Sequence, residues 1–221
     1  MYRNYIFDLY GTLLDIRTDE EQEGLWDEMA FLYGKEGAVY TPEALKTAYG
    51  DACRKEEERL REETGFVYPE IEIGQVFLNL FSQKGAEAGT ELVSGLARRF
   101  RERSREYMRL YDGTEPLLRK LREGGKRIYL LSNAQRLFTE PEIAAAGIGG
   151  YFDDIFLSSD FGMKKPEKAY METLLKKHGL KREECLMVGN EAESDLAVAQ
   201  KCGVDGLLVS DGHFPKEPFA L

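Results

Sequence analysis

Hydrophobic and polar positions follow a helical period in some segments of the chain and form short apolar runs in others. From Asp112 onward, short apolar runs are separated by amphipathic segments. This pattern predicts helices and strands in turn: helices at 114–123, 136–146, 166–178 and 193–202, and strands at 127–132, 155–157, 186–189 and 206–210. One more apolar run, residues 5–7, predicts a strand near the beginning. Strands that alternate with helices are typical of an α/β fold with a Rossmann-like, doubly wound parallel sheet.

Residues 16–110 have no convincing strand pattern. Thr18 and Glu21 have the spacing of a capping box, which predicts the start of a first helix, and Thr41-Pro-Glu opens a second. Two further helices are predicted at 71–81 and 90–109. The segment therefore indicates an all-helical block.

The position of this helical block predicts how the chain is divided. We expect a core α/β domain built from residues 1–15 and 111–221, with residues 16–110 inserted as a helical cap. Ligands of open α/β sheets bind at the carboxyl ends of the strands. An insertion directly after the first strand emerges beside that crevice, where it can cover a bound ligand.

Composition narrows the class of partner. The chain has 30 Lys and Arg against 40 Asp and Glu, a net charge of −10, which argues against nucleic acid or an anionic membrane as a partner. No apolar run approaches the roughly 20 residues of a membrane span, and no signal-peptide pattern opens the chain. The three cysteines form no CxxC pair and are interpreted as buried thiols. We expect a cytoplasmic protein; the oligomeric state is left open.

Polar side chains stand where four predicted strands end. The first strand is followed by Asp8-x-Tyr-Gly-Thr, the second by Ser-Asn, a later segment carries Lys-Pro, and the fourth strand ends in Gly-Asn-x-x-x-x-Asp. Because the carboxyl ends of parallel strands meet at one edge of the sheet, we expect these side chains to form one site. Its candidate residues are Asp8, Tyr10, Thr12, Ser132, Asn133, Lys165, Asn190 and Asp195.

This ordered set resembles the haloacid dehalogenase superfamily, over the whole predicted α/β core. The resemblance implies that Asp8 is the nucleophile and forms an aspartyl-enzyme intermediate that water opens. It also implies that Lys165 compensates negative charge, that Ser132 and Asn133 bind the substrate anion or leaving group, and that Thr12 orients the site.

Simpler interpretations remain for several of these residues. Asp8 can be a turn residue, Thr12 and Ser132 can be caps, and Asp195 can cap the start of the last helix. Lys165 can be one more surface lysine. The recurrence of all four motifs in order favours the functional interpretation of Asp8 and Lys165, whereas Thr12 and Asp195 are evenly balanced.

The fourth motif leaves the metal requirement open. Phosphatases of the superfamily hold Mg²⁺ with the nucleophile and carboxylates of this segment, but here the first position is the neutral Asn190. A weak Mg²⁺ site formed by Asp8, the Tyr10 carbonyl and Asp195 is one interpretation. The other is that Asn190 and Asp195 position water and substrate, as in the dehalogenases.

Tyr10 separates the two chemistries. In the phosphatases an Asp at this position shuttles a proton to the leaving group, whereas a phenol with a pKa of about 10 is a poor general base near neutrality. Halide leaves without a proton. Asp-x-Tyr-Gly-Thr-x-x-Asp, from Asp8 to Asp15, also resembles the 2-haloacid dehalogenases. We therefore favour carbon–halogen hydrolysis of a 2-haloacid.

Three departures from the dehalogenase pattern keep other functions in view. The Gly-Asn-x-x-x-x-Asp segment is one residue longer than in the dehalogenases and has the spacing of the phosphatases. The arginine expected in the cap has no clear candidate, since Arg54 and Arg59 lie in a Glu-rich helix that resembles a solvated face. The family tyrosine six residues after the lysine is Met171, with Tyr170 one position early. The alternatives are a Mg²⁺-dependent small-molecule phosphatase and a catalytically degenerate binding protein.

Overall fold

A five-stranded parallel sheet forms the centre of the molecule in the computed structural model, which describes residues 2–219. Its strands follow the order β5-β4-β1-β6-β7. Their bounds are β1 Asn4–Phe7, β4 Arg127–Ser132, β5 Asp154–Leu157, β6 Cys185–Gly189 and β7 Asp205–Leu208. Phe7 of β1 is level with Leu130 of β4 and Val188 of β6, so these three central strands end side by side.

Helices cover both faces of this sheet. They are α5 Thr114–Glu123, α6 Arg136–Ala146, α7 Lys168–Lys177 and α8 Ala197–Cys202, which continues a π-helical turn at Ala192–Leu196. Single 3₁₀ turns lie at Gly149–Tyr151, Ser158–Asp160 and Arg182–Glu184. Alternate residues of β1 point to opposite faces: Tyr5 and Phe7 pack in the core with α5 and α6, and Ile6 packs in the core with α7 and α8. The α/β fold predicted from the alternating pattern is confirmed.

Four helices between the first strand and the rest of the sheet pack around a separate hydrophobic core. They are α1 Leu25–Lys35, α2 Pro42–Thr64, α3 Ile73–Ser82 and α4 Thr90–Ser104. Tyr33, Phe77, Phe81 and Phe100 are among their fully buried residues. Leu137 and Phe138 of α6 pack against the same core. The helical block therefore rests on the helix that follows Ser132 and Asn133.

An antiparallel ribbon joins the helical block to the sheet, and the sequence did not predict it. Its strands are β2 Leu14–Thr18 and β3 Arg105–Leu110. The helix predicted to reach residue 109 ends at Ser104, and Thr18 closes a strand instead of capping a helix. The first helix begins at Leu25, seven residues after Thr18, with Gly24 at its N-cap and no side-chain cap.

Pairing of the two chain segments explains these errors. Asp15 receives hydrogen bonds from Tyr107 and Arg109 across the ribbon, and these contacts join residues about 90 positions apart. Local helical periodicity carries no information on such a pairing. We propose residues 16–110 as the cap and the ribbon as its stem. Within residues 2–219, no helix has both the length and the apolarity that a membrane crossing requires.

Candidate active site

Asp8 lies directly after β1 and is almost fully buried, with 7% of its surface exposed. Its Oδ1 atom receives a hydrogen bond from Ser132 Oγ at 3.1 Å and another from the Lys165 ammonium at 2.6 Å. Its Oδ2 atom receives neither. The carboxylate is thus oriented by one oxygen, which leaves the other available as a nucleophile.

Lys165 bridges two carboxylates. Its Nζ atom also donates to Asp195 Oδ1 at 2.7 Å, and all three side chains are removed from water. Burial lowers the pKa of Lys165, but the charges of Asp8 and Asp195 outweigh that effect and the net shift is upward. Burial raises the pKa of Asp8, Lys165 opposes that shift, and Asp195 adds to it. Two carboxylates and one ammonium leave this cluster with one negative charge.

Asn133 holds the lysine segment in place. Its side-chain amide donates to the Lys165 carbonyl at 3.0 Å and accepts from the Lys165 amide at 2.7 Å. Both polar ends of the Asn133 side chain therefore bind the main chain of Lys165. Tyr170 supports the neighbouring residue, since its buried hydroxyl donates to the Ser132 carbonyl at 3.0 Å. The role of this tyrosine was not foreseen, because it depends on α7 packing beneath β4.

Glycines allow the fourth motif to approach the loop at residues 8–12, which carries Asp8. Thr12 Oγ1 donates to Asn190 Oδ1 at 3.1 Å, and Gly11, at φ +79°, leaves room for that amide. A Cβ on Gly11 would lie 2.4 Å from Asn190 Nδ2, and one on Gly189 would lie 2.1 Å from Asp195 Oδ2. Larger residues at either glycine would push the motif away from Asp8.

The oxygen atoms of Asp195 are already engaged. Oδ1 accepts from Lys165 at 2.7 Å, and Oδ2 accepts from the Glu191 amide at 3.0 Å. Residues 2–219 contain no group of three or more His, Cys, Asp or Glu side chains placed to hold a metal ion. Of the predicted ligands, Asp195 is thus bonded to Lys165 and to the Glu191 amide, whereas Asp8 Oδ2 receives no hydrogen bond from Ser132 or Lys165.

Tyr10 points into a second charged cluster. Its hydroxyl hydrogen-bonds to Thr139 Oγ1 at 2.9 Å and to the Glu142 carboxylate. Glu142 is 2% exposed and also binds Arg101 at 2.8 Å and Arg105 at 3.3 Å. Burial raises the pKa of Tyr10, and the charge of Glu142 adds to the shift. The phenol is therefore held neutral and bonded to the cap–core junction.

Arg101 is a cap arginine that reaches the core, as Arg105 also does, and neither was predicted from the sequence. Arg101 lies in α4, with its guanidinium 5.6 Å from the centre of the Tyr10 ring and 5.5 Å from that of Phe138. Arg54 and Arg59 are on the exposed face of α2, as expected, with side chains 65% and 49% exposed. The available signal was Glu142 itself, an acidic residue on the buried face of α6.

The chain is similar to members of one large family of hydrolases. A family model for haloacid dehalogenase-like hydrolases matches residues 2–203. Phosphoserine phosphatase from Thermus thermophilus is 26% identical over 158 residues, which cover 69% of this chain and 64% of that protein. The chain spans about half to two thirds of the length of the first curated relatives it matches.

Solved structures share the fold. The 2-haloacid dehalogenase from Pseudomonas syringae has a TM-score of 0.62 at 17% identity, over 94% of this chain and 86% of that one. The putative HAD-hydrolase YfnB from Bacillus subtilis, bound to magnesium, has a TM-score of 0.53 at 23% identity, over 94% and 88%. Together with the family match over nearly the whole length, these likenesses show that the chain belongs to the haloacid dehalogenase-like hydrolases.

Proposed function

We propose that the protein hydrolyses a small molecule through an aspartyl-enzyme intermediate at Asp8, with a leaving group that departs without a proton. A 2-haloacid is the leading substrate class. The observation that carries the proposal is the pairing of two environments: Asp8 is held by Lys165 and Ser132, while Tyr10 is bonded away to Glu142.

The first step uses the free oxygen of Asp8. Oδ2 attacks the carbon that bears the halogen, a carbon–oxygen bond forms, and halide leaves with the bonding electrons. Lys165 stabilises the ionised carboxylate before the attack and remains paired with Asp195 afterwards, when the ester at Asp8 is neutral. The ammonium is therefore never left buried without a counter-charge.

The second step regenerates the carboxylate. Water attacks Cγ of the Asp8 ester, the Cγ–Oδ2 bond breaks, and Oδ2 leaves with the substrate as the hydroxyl of a 2-hydroxy acid. One proton of the water goes to that hydroxyl and the other to solvent, while the oxygen of the water completes the new Asp8 carboxylate. We assign Asn190 and Asp195 to the positioning of this water, with Thr12 holding the Asn190 amide. Ser132 orients Asp8, and Asn133 keeps Lys165 in reach of it.

The engagement of Tyr10 supports the choice of leaving group. An alkoxide needs a proton as it departs, and the neutral phenol of Tyr10 is bonded to Thr139 and Glu142. A halide needs none. Substrates with a good leaving group are thus the ones this nucleophile loop can turn over.

The decisive test is Asp8→Asn with a paired screen of 2-haloacids and phosphate esters, each with and without Mg²⁺. We expect halide release by the wild-type protein and a loss of at least about a thousandfold in the variant, because the amide cannot form the intermediate. A circular dichroism spectrum like that of the wild type checks the fold. Full activity in the variant would contradict the nucleophile assignment. No turnover of any substrate by the wild type would support a degenerate binding protein.

A Mg²⁺-dependent phosphatase is the second candidate, favoured by the relatedness to phosphoserine phosphatase and the magnesium-bound neighbour. Asp8 and the Tyr10 carbonyl would hold the ion, which would supply a charge for the phosphate oxygens. Tyr10→Asp should raise chelator-sensitive phosphate release at least about tenfold, since it restores a carboxylate where the phosphatases have one. Tyr10→Phe is the control. Equal rates in both variants would show that Tyr10 does not limit phosphate chemistry.

A further inference from the structure

The loop between α2 and α3 reaches across to the segment that carries Lys165. Pro69 forms an antiparallel bridge with Met163. The Glu70 amide donates to the Gly162 carbonyl at 3.0 Å, and the Lys164 amide donates to the Tyr68 carbonyl at 3.0 Å. The main chain of the helical block is therefore bonded directly to the residue before Lys165.

The side chain of Gln135, three residues after β4, bonds to the same loop. Its side chain donates to Glu70 Oε1 at 2.9 Å and to the Ile71 carbonyl at 2.8 Å, and it accepts from the Ile73 amide at 2.9 Å. The Ile73 amide belongs to the first turn of α3, where N–H groups lack partners within the helix. Gln135, a residue of the core, thus accepts the hydrogen bond of an α3 amide that has no partner within its own helix.

Glu70 completes the contact. Its Oε2 atom accepts a hydrogen bond from Ser158 Oγ at 2.6 Å, and the same Ser158 Oγ accepts from the Ala134 amide at 2.8 Å. Burial raises the pKa of Glu70, although Ser158, Lys164 and Gln135 oppose the shift. The half-buried carboxylate thus lies between the two segments that carry Ser132 and Lys165.

We propose that Gln135 and Glu70 form a latch that closes the cap loop on the core and, by closing, positions the segments 132–134 and 158–165 for catalysis. Both are positioning residues, because they act through Asn133 and Lys165. The catalytic consequence rests on the proposed function, whereas the latch itself can be tested without a substrate. The latch predicts cooperative opening. When the Gln135 side chain is removed, the hydrogen bonds of the Glu70 and Lys164 amides, to which Gln135 does not bond, should open as well.

Amide hydrogen exchange of the full chain measures this cooperativity. In Gln135→Ala we expect the amides of Ile73, Glu70 and Lys164 all to exchange about tenfold faster, since three hydrogen bonds are lost. Gln75→Ala is the matched control: Gln75 is exposed in α3 and bonds to Asn79 within its own helix. Faster exchange at Ile73 alone would overturn the latch, because Gln135 would then only cap the first turn of α3.

A second pair of variants keeps the test valid if Gln135→Ala misfolds. Glu70→Ala removes both acceptors and should accelerate exchange at Lys164 about tenfold, while Glu70→Gln keeps a hydrogen-bonding group there and should retain most protection. Equal exchange in the two variants would contradict the proposal. Where turnover is found, Gln135→Ala should lower kcat/KM about tenfold with the Asp8 chemistry intact. Cooperative exchange without turnover would keep the latch and refute only the proposed function.

Discussion

Two charge clusters include residues of the loop at 8–12, one through Asp8 and the other through Tyr10, and they are opposite in composition. In the Lys165 cluster, made of Asp8, Lys165 and Asp195, two carboxylates share one ammonium. In the Glu142 cluster, made of Glu142, Arg101, Arg105 and Tyr10, two guanidinium groups and a phenol share one carboxylate. The first has an excess negative charge, and the second an excess positive charge.

The difference in charge corresponds to a difference in role: the Lys165 cluster holds the proposed nucleophile, and the Glu142 cluster joins the cap to the core. An excess carboxylate in a buried site retains a nucleophilic oxygen, at the cost of desolvation that raises the pKa of Asp8. The excess cations of the Glu142 cluster are half-exposed, with 18% of the Arg101 side chain and 29% of the Arg105 side chain accessible. These arginines come from α4 and the start of β3, and the glutamate comes from α6. The Glu142 cluster is therefore a joint between cap and core.

Removal of the shared cation gives the largest expected effect on stability. Lys165→Met leaves Asp8 and Asp195 buried without a counter-charge, so we expect the free energy of unfolding to fall by about 3–5 kcal/mol. Lys168→Met, at a side chain 53% exposed, should change it by less than about 0.5 kcal/mol. Urea unfolding at neutral pH measures both. Adding Asp195→Asn to Lys165→Met should recover part of the loss; a further loss would contradict the shared-charge account.

Removal of the shared carboxylate should have a smaller effect. In Glu142→Gln the two arginines lose their partner but can still reach water, so we expect a loss of about 1.5–3 kcal/mol. Glu140→Gln on the same helix is the control, because that side chain is 70% exposed. A loss as large as that in Lys165→Met would show that the two clusters do not differ as we describe.

The smallest expected effect is a gain in stability when Asp8 is replaced. Because the pKa of Asp8 is raised in the folded protein, folding disfavours the ionised form, and that penalty is present at pH values above the folded pKa. It disappears as the pH falls below the unfolded value of about 3.9. Asp8→Asn should therefore have a Tm equal to or above that of the wild type at pH 7, and lose this advantage in acid. Asp27→Asn, on the exposed face of α1, is the control for the loss of a carboxylate at the surface.

Sequence reasoning located the parts of the site that depend on strand ends. Asp8 follows β1 and Ser132 ends β4, while Lys165 and Asp195 lie in the segments that follow β5 and β6. The parallel pairing of these strands brings the four residues to one edge of the sheet. Ser132 and Lys165 both bond to Asp8, and Asp195 joins them through Lys165. The two hydrogen bonds from the Asn133 side chain to the Lys165 main chain were not predicted, because an Asn side chain is placed by packing that local sequence does not encode.

The contacts between cap and core were not predictable in the same way. Tyr10 and Glu142 are separated by 132 positions, and nothing in the local sequence around Arg101, Glu142 or Tyr10 indicates that the three side chains meet. The β2–β3 ribbon has the same origin, since its two strands pair over about 90 residues. Long-range partners of this kind leave no periodic pattern.

The sequence by itself determined the α/β architecture and the ordered motifs of the nucleophile, because hydrophobic periodicity and strand-end position are local properties. Tertiary structure alone decided that Lys165 serves two carboxylates, that Tyr10 faces Glu142 and that Gln135 reaches the cap loop. These contacts depend on how separate segments pack in low-dielectric surroundings, where the geometry of a few atoms sets the strength of each charge interaction.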